Sequence, residues 1–403
     1  MIYSGFTKTS ATDSKSTIDK KWDNSYLNLK TLFNNGTLSG SINDVKWFSG
    51  NNYNNVYAPN AIDPTVFFGN DGKFYMTYGS WSGGIFMLEL DPVTGEPKYP
   101  GKDGTESTSG NWTDRYFGTH IAGGSRVYGE APYIYYDKEA GYYYLYITYG
   151  WLAADGGYNM RLFRSKNPYG PYEDAAGRQA QDSSKSVDNY GIKLIGNYQF
   201  KGQTGNKAAG HNSAFIDDDG QAYLYFGNPN LRYVKLNEDM LSYDTTIGKK
   251  GVVSLDMNES GFGPKVMENG KLSRQCSYGE GPWFYKRGSL YYMVYAAFGP
   301  TGGAEHLAYS TSKSATGPWE YQGVIMPSQG GCYTNHPGVV DFMGHSYLFY
   351  HDQKLKGGSS YHRSVSVEEF TYNEDGTFPT LNMTKDGPAP IAKLDPYQWT
   401  EAE

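Results

Sequence analysis

The chain has 403 residues, enough for two or three average domains or for one large all-β domain. Its 42 acidic and 35 basic side chains leave a net charge of −7, which argues against a nucleic-acid partner, and the lack of a long apolar run excludes a membrane-spanning helix. With 39 Tyr, 19 Phe and 8 Trp, together 16% of the chain, and 51 Gly, the composition favours many short strands joined by tight turns, with aromatic rings supplying much of the core.

Residues 1–60 are rich in Ser, Thr, Asn and Lys with little periodicity and read as a loop-rich segment or a clasp that closes the ring. Their start, Met1 to Thr7, lacks the basic patch and apolar stretch of a signal peptide, so an export signal is absent or has been removed. From residue 61 to about 385 one unit recurs five times: a polar residue, a short apolar strand, a turn, and a second strand dominated by Tyr and Phe. The copies are DPTVFFGNDGKFYMTYGS from Asp63, EAPYIYYDKEAGYYYLYITYG from Glu130, HNSAFIDDDGQAYLYFGN from His211, EGPWFYKRGSLYYMVYAAFG from Glu280 and HPGVVDFMGHSYLFYHDQ from His336. Four continue into a third alternating strand: GGIFMLELD, YNMRLFRS, LRYVKLNED and EHLAYSTS. Antiparallel units of this size cannot bury their faces alone, so the repeat predicts an all-β, five-bladed β-propeller, favoured over a β-sandwich that has no reason to repeat at this period. The Gly- and Thr-rich residues 100–128 read as a surface connection, and no helix longer than two turns is expected. Residues 386–403 read as a separate tail.

Propeller geometry converts this alignment into a site. First strands line the axis, so Asp63, Glu130, His211, Glu280 and His336 should converge at one mouth, and such groups are costly to bury without a task. Second strands return to the same mouth and place Trp81, Trp151, Asn228, Phe298 and Asp352 there. Aromatic rings around an acidic pit suit a sugar, and the residues expected to contact it are Trp81, Trp151, Asn212, Trp283 and Phe298. The turns at Asp71-Gly72 and Asp219-Gly220 fall at the opposite mouth, so Asp217 to Asp219 read as a hairpin rather than a metal site. His211 and His336 are candidate metal ligands, with core histidines as the plainer reading. Cys276 and Cys332 provide no disulfide framework and read as buried free thiols.

The segments NAIDPTVFF, YGSWSGGIFMLELD, EAPYIYYD, GYNMRLFRSKNPYGPYED and GHNSAF resemble the arabinan-degrading enzymes of glycoside hydrolase family 43. From about residue 216, IDDDGQAYLYFGNPNLRYVKLNEDM, YGEGPWFYKRGSLYYMVYAAFG and TNHPGVVDF resemble the arabinofuranosidase and xylosidase branch of that family. The resemblance implies an inverting glycosidase acting on α-L-arabinosyl or β-D-xylosyl linkages of plant polysaccharides, with an oligo- or polysaccharide as partner and no membrane. It further implies an extracellular or periplasmic location over a cytoplasmic one, Ca²⁺ as the cation a site would take, and no organic cofactor. The tail, DPYQWTEAE, resembles the start of an appended carbohydrate-binding module.

The resemblance leaves two registers open. By position in a closed ring, Asp63 stands where the family carries its general base and Glu280 where it carries its general acid; His211 then replaces the acid-tuning Asp of the third blade. By segment, Asp63, Glu130 and His211 match the third, fourth and fifth blades of arabinanases, so that Asp63 tunes, Glu130 is the acid, His211 binds a metal, and the base comes from elsewhere. A non-catalytic carbohydrate-binding propeller is the alternative from another class.

Overall fold

The computed structural model describes residues 36, 48–49, 52–53, 57–105, 112–124, 129–150, 158–180, 194–196, 209–354 and 363–389. Most of the 1–60 segment, Trp151 and residues 390–403 of the tail lie outside them.

Five antiparallel sheets form the five blades of a propeller, in the order of the repeats. Blade one is built on Thr65–Phe68, Phe74–Tyr78 and Ile85–Leu90, and blade two on Gly129–Asp137, Tyr142–Tyr149, Asn159–Ser165 and Ile195–Gly196. Blade three comprises Ser213–Ile216, Ala222–Phe226, Arg232–Lys235 and Val253–Ser254. Blade four comprises Tyr278–Arg287, Leu290–Gly299, Gly302–Ser312 and Glu320–Met326. Blade five has three strands among the described residues, Gly338–Phe342, His345–Asp352 and Ser364–Phe370. The segment expected to be a surface connection departs from that reading. Gly118–Ala122 pairs with the third strand of blade one through Ile85 and Ala122, and Trp112–Asp114 and Gly104–Thr105 extend the sheet outward. Its Gly and Thr content hid strands that are held both by ladder bonds and by burial of Ile121 and Ala122 in the core shared with blade two. Among the described residues the one helix is the single turn Glu259–Phe262, capped by the Asn258 side chain, which accepts from Gly261 N at 2.8 Å.

The second strands explain the aromatic composition. Side chains alternate across a strand, and each of these strands is sandwiched between two neighbouring blades, so both faces must be apolar. In blade two, Tyr143, Leu145, Ile147 and Tyr149 pack towards blade one, while Tyr144 and Tyr146 pack with Leu224, Phe226 and Val234 of blade three. Met293, Tyr295 and Ala297 of blade four face blade three, and Tyr292 and Val294 face blade five. The turns between first and second strands use Gly72 and Gly220 in the left-handed region, at φ 71° and 82°, on the mouth opposite the ring residues. Cys276 and Cys332 are both free and buried.

Leu145 is fully buried between blades one and two. Replacing it with alanine should destabilise the chain by about 2–5 kcal/mol, seen as a lowered urea midpoint.

Candidate active site

The ring residues are aimed by local backbone features. Pairing slips between Glu130 and Tyr133 in blade two and between Glu280 and Trp283 in blade four. Such bulges re-aim side chains. The residue after each glutamate is left-handed, Ala131 at φ 49° and Gly281 at φ 63°, and a proline follows in both blades. Asp63 and His211 are themselves left-handed, at φ 55° and 53°, a strained state for non-glycine residues that gathers at functional sites. A Cβ on Gly281 would lie 2.9 Å from the His336 ring, so glycine is needed there for space as well as for φ.

Two glutamate–histidine pairs result. Glu130 Oε1 accepts from the Tyr158 hydroxyl and lies 3.6 Å from His211 Nε2, while its Oε2 accepts from Trp81 Nε1 at 3.0 Å. Glu280 Oε1 lies 3.1 Å from His336 Nε2, and its Oε2 accepts from Asn228 Nδ2. The two imidazoles meet edge to face with centroids 5.1 Å apart. Asp63 Oδ2 accepts from Ala131 N at 3.0 Å. All five ring residues therefore meet at one mouth.

Their charges differ. Burial raises the Asp63 carboxyl above its ordinary value, and the Glu130 carboxylate adds to this. Burial pushes Glu280 the same way but is overcome by the hydrogen bond from His336 and the charges of both histidines, which hold it ionised well below the carboxylate range. Burial likewise opposes ionisation of Glu130, and His211, Tyr158 and Trp81 outweigh it. His211 is desolvated, yet its bond to Glu130 and the carboxylates of Glu280, Glu130 and Asp63 raise it to about 10.

The other expected residues divide. Trp81 and Asn228 reach the pit through the glutamates. Asn212 lies beside His211, its amide atoms buried and without a hydrogen-bond partner. Trp283 departs from expectation: its ring packs in the interface of blades four and five and donates to the Val339 carbonyl at 3.0 Å. Phe298 is 8% exposed because the Arg274 guanidinium covers its ring at 4.4 Å. Asp352 is engaged by the Ser364 and Ser366 hydroxyls at 2.7 and 3.0 Å, inside blade five.

Two residues were missed, Tyr158 and Glu305. Glu305 is 4% exposed, accepts from Asn335 N at 2.8 Å, and is raised to about 7 by burial and then by the Glu280 carboxylate. Glu280, Glu305 and His336 offer ligand atoms within 4.8 Å of one another. The ladders make Tyr158 and Glu305 equivalent. Glu130 pairs with Thr148 and Thr148 with Met160, while Glu280 pairs with Ala296 and Ala296 with Leu307; each missed residue lies two positions before the last of these. Counting back from the third strand was the signal that could have found them.

Comparison with known proteins adds the following. The family model "Glycosyl hydrolases family 43" matches residues 34–200 and 191–378. An extracellular endo-α-(1→5)-L-arabinanase 2 of Bacillus subtilis is 40% identical over 211 residues, 49% of this chain and 41% of its own. A xylosidase/arabinosidase of Bacteroides ovatus is 32% identical over 228 residues, 54% of this chain and 63% of its own. The chain thus spans about two fifths to under two thirds of these relatives. The solved GH43_1 enzyme from Xanthomonas citri complexed with xylotriose shares the fold, with a TM-score of 0.52 at 20% identity over 84% of this chain and 94% of its own.

Glu305 sets a pH dependence. Its folded value of about 7 lies above the unfolded value of roughly 4.3, so the folded state holds the proton more tightly. Stability is fullest below the unfolded value and falls as pH rises through 7. Glu305→Gln, which keeps an acceptor for Asn335, should therefore raise the melting temperature relative to the parent more at pH 8 than at pH 4.5.

Proposed function

The chain belongs to glycosyl hydrolases family 43, and on that premise we propose that it hydrolyses α-L-arabinosyl or β-D-xylosyl linkages of plant cell-wall polysaccharides with inversion. The observation that carries this reading is the convergence of Asp63, Glu130 and Glu280, with two imidazoles, at one mouth of the propeller. In an inverting step an ionised carboxylate takes a proton from water as that water attacks the anomeric carbon. A second carboxyl gives a proton to the leaving glycosidic oxygen as its bond to carbon breaks, the two being roughly 6.5–9.5 Å apart. The acid must hold a proton near neutral pH and the base must not.

Blade order supports the register in which Asp63 tunes Glu130. At rest His211, Tyr158 and Trp81 hold Glu130 ionised, and the proton on this side of the pit sits on Asp63, which burial and the neighbouring Glu130 carboxylate raise. Ring closure supplies the missing base: if blades one to three correspond to the third to fifth of an arabinanase, blade four stands in the place of the first. That blade presents Glu280, the most strongly ionised carboxylate of the pit. We therefore assign the proton donor to the Asp63–Glu130 pair and the base to Glu280. The alternative by ring position alone makes Asp63 the base and Glu280 the acid. The names of the relatives support a polysaccharide substrate and an extracellular site of action.

Of the two candidate metal ligands, His336 has the carboxylates of Glu280 and Glu305 beside it, three donors that would hold Ca²⁺ only with waters completing its oxygen shell. No comparable group surrounds His211 among the described residues. Bound there, the cation would add positive charge next to Glu280, while Asp63, Glu130, Trp81 and Tyr158 would hold and orient the substrate-side proton.

A nitrophenyl leaving group needs little protonation, which separates the two assignments. Glu130→Gln should lose about 10²–10⁴-fold on linear arabinan or xylan but far less on nitrophenyl pentosides, whereas Glu280→Gln should lose both. The reverse pattern would assign the acid to Glu280. No product from any variant or from the parent, with oligosaccharide still bound, would mark a binding protein. For the cation, added Ca²⁺ should raise the melting temperature and a chelator lower it, and His336→Ala should abolish the response.

A further inference from the structure

A polar cleft lies between blades four and five at the mouth opposite the pit. The first strand of blade four carries Glu280 near its start and Arg287 at its far end. His345 opens the second strand of blade five, and Glu369 stands one residue before the end of its third. These residues line one cavity of about 290 Å³ together with Thr371, Tyr372 and Asn373.

Its polar groups are held in place. Arg287 Nε donates to Asp341 Oδ2 at 3.0 Å, and the guanidinium lies over the Tyr372 ring with Cζ 4.2 Å from the centroid. Both of these supports are pinned in turn, since Ser346 Oγ donates to Asp341 Oδ1 at 2.6 Å and the hydroxyls of Tyr285 and Tyr372 meet at 2.6 Å. The Nη groups of Arg287 have no partner among the described residues, and the side chain is 44% exposed. His345 Nδ1 lies 2.6 Å from Glu369 Oε1, which leaves His345 Nε2 and Glu369 Oε2 unpaired among the described residues. Asn373 Nδ2 donates to Thr377 Oγ1 at 2.8 Å and leaves its Oδ1 unpaired in the same sense.

The lining therefore mixes fixed donors with fixed acceptors. Neighbouring hydroxyls of a sugar answer that pattern, because each can accept from a guanidinium and donate to a carboxylate or amide oxygen. An anion would meet the carboxylates of Asp341 and Glu369 beside the guanidinium, and an apolar group would strip water from charges without replacing its hydrogen bonds. Ligand pockets run upward from about 300 Å³, so this cavity takes one sugar ring rather than several.

We propose that the cleft is a second carbohydrate site, which holds one neutral sugar unit of the polysaccharide through Arg287, Glu369 and Asn373 on the face opposite the pit. It anchors the polymer and takes no part in cleaving it. The inference goes beyond the glycosidase reading and rests on it only for the class of polymer.

Affinity electrophoresis of the whole chain through gels containing linear arabinan or xylan tests it, with Glu280→Gln as the background so that the polymer is not consumed. That background should be retarded by at least one polymer. Adding Arg287→Met, which keeps the packing on Tyr372, or Glu369→Gln should weaken the retardation about three- to tenfold, with melting temperatures confirming that each variant folds. In the parent background the same two changes should leave turnover of nitrophenyl pentosides as it was. A crystal soaked with arabinobiose or xylobiose, which needs no variant, should show a sugar ring against Arg287 and Glu369. Undiminished retardation in both variants, or a cleft left empty by the soak, overturns the proposal, as does retardation confined to polygalacturonate and abolished by salt, which would mark an anion site. Turnover separates the failures: nitrophenyl pentosides cleaved by a parent whose retardation ignores the cleft variants remove only this site, and neither turnover nor retardation removes both readings.

Discussion

The rest of the pit depends on how buried carboxylates are neutralised. Asp63, Glu130, Glu280 and Glu305 are drawn to one mouth, and the groups in contact with the two ionised glutamates are imidazoles, hydroxyl, indole and amide rather than lysine or arginine. An unpaired carboxylate taken out of water costs several kcal/mol, and the carboxylates around His211 in turn favour its charged form and raise it to about 10. The left-handed residues and the two bulges follow from the same demand. They turn glutamates that would otherwise alternate along a strand towards the partners that keep them ionised.

An odd number of blades then makes the two pairs inequivalent. The order Asp, Glu, His, Glu, His places Asp63 beside Glu130 on one side and within the field of His336 on the other. Third-strand residues deepen the difference: the position that gives Glu130 a hydroxyl donor, Tyr158, gives Glu280 a second carboxyl, Glu305. One glutamate therefore has a neighbouring acid in its own ring and a phenol behind it, while the other has an acid behind it and a histidine on each flank. Equivalent backbone positions have been given different protonation chemistry without any change of fold.

Blade number, strand order and the converging ring were legible because each repeats. A residue that opens a unit can be aligned with four others, and alternation of Tyr and Phe marks a strand buried on both faces. What does not repeat was not legible. Trp283 was expected to contact the sugar, but a register shift separates it from Glu280, and the indole donates to the Val339 carbonyl instead. Phe298 does reach the mouth end of its strand, yet a hairpin that precedes the blade in sequence brings Arg274 over it. Glu305 and Tyr158 could be found only by following two ladders across a blade. The strands at 112–122 carry apolar residues, Trp112, Phe117 and Ile121 among them, but in no alternating pattern that announces a strand.

The two resemblances meet near Phe215, in blade three, and the physics of that junction differs from the physics of the pit. Between blades two and three the contact is Tyr144, Tyr146 and Leu162 against Leu224, Phe226 and Val234, all of them buried and nearly all without directional demands. Interfaces of this kind accept exchange provided volume and patterning are kept. The pit does not, because each charge there is set by its neighbours within a few ångströms. His211 precedes Glu280 in the ring and acts on it as a cation, which with the hydrogen bond from His336 lowers it against the cost of burial. Apolar interfaces of this kind can therefore close the propeller while the charge of each acid in the pit is set separately by its own neighbours.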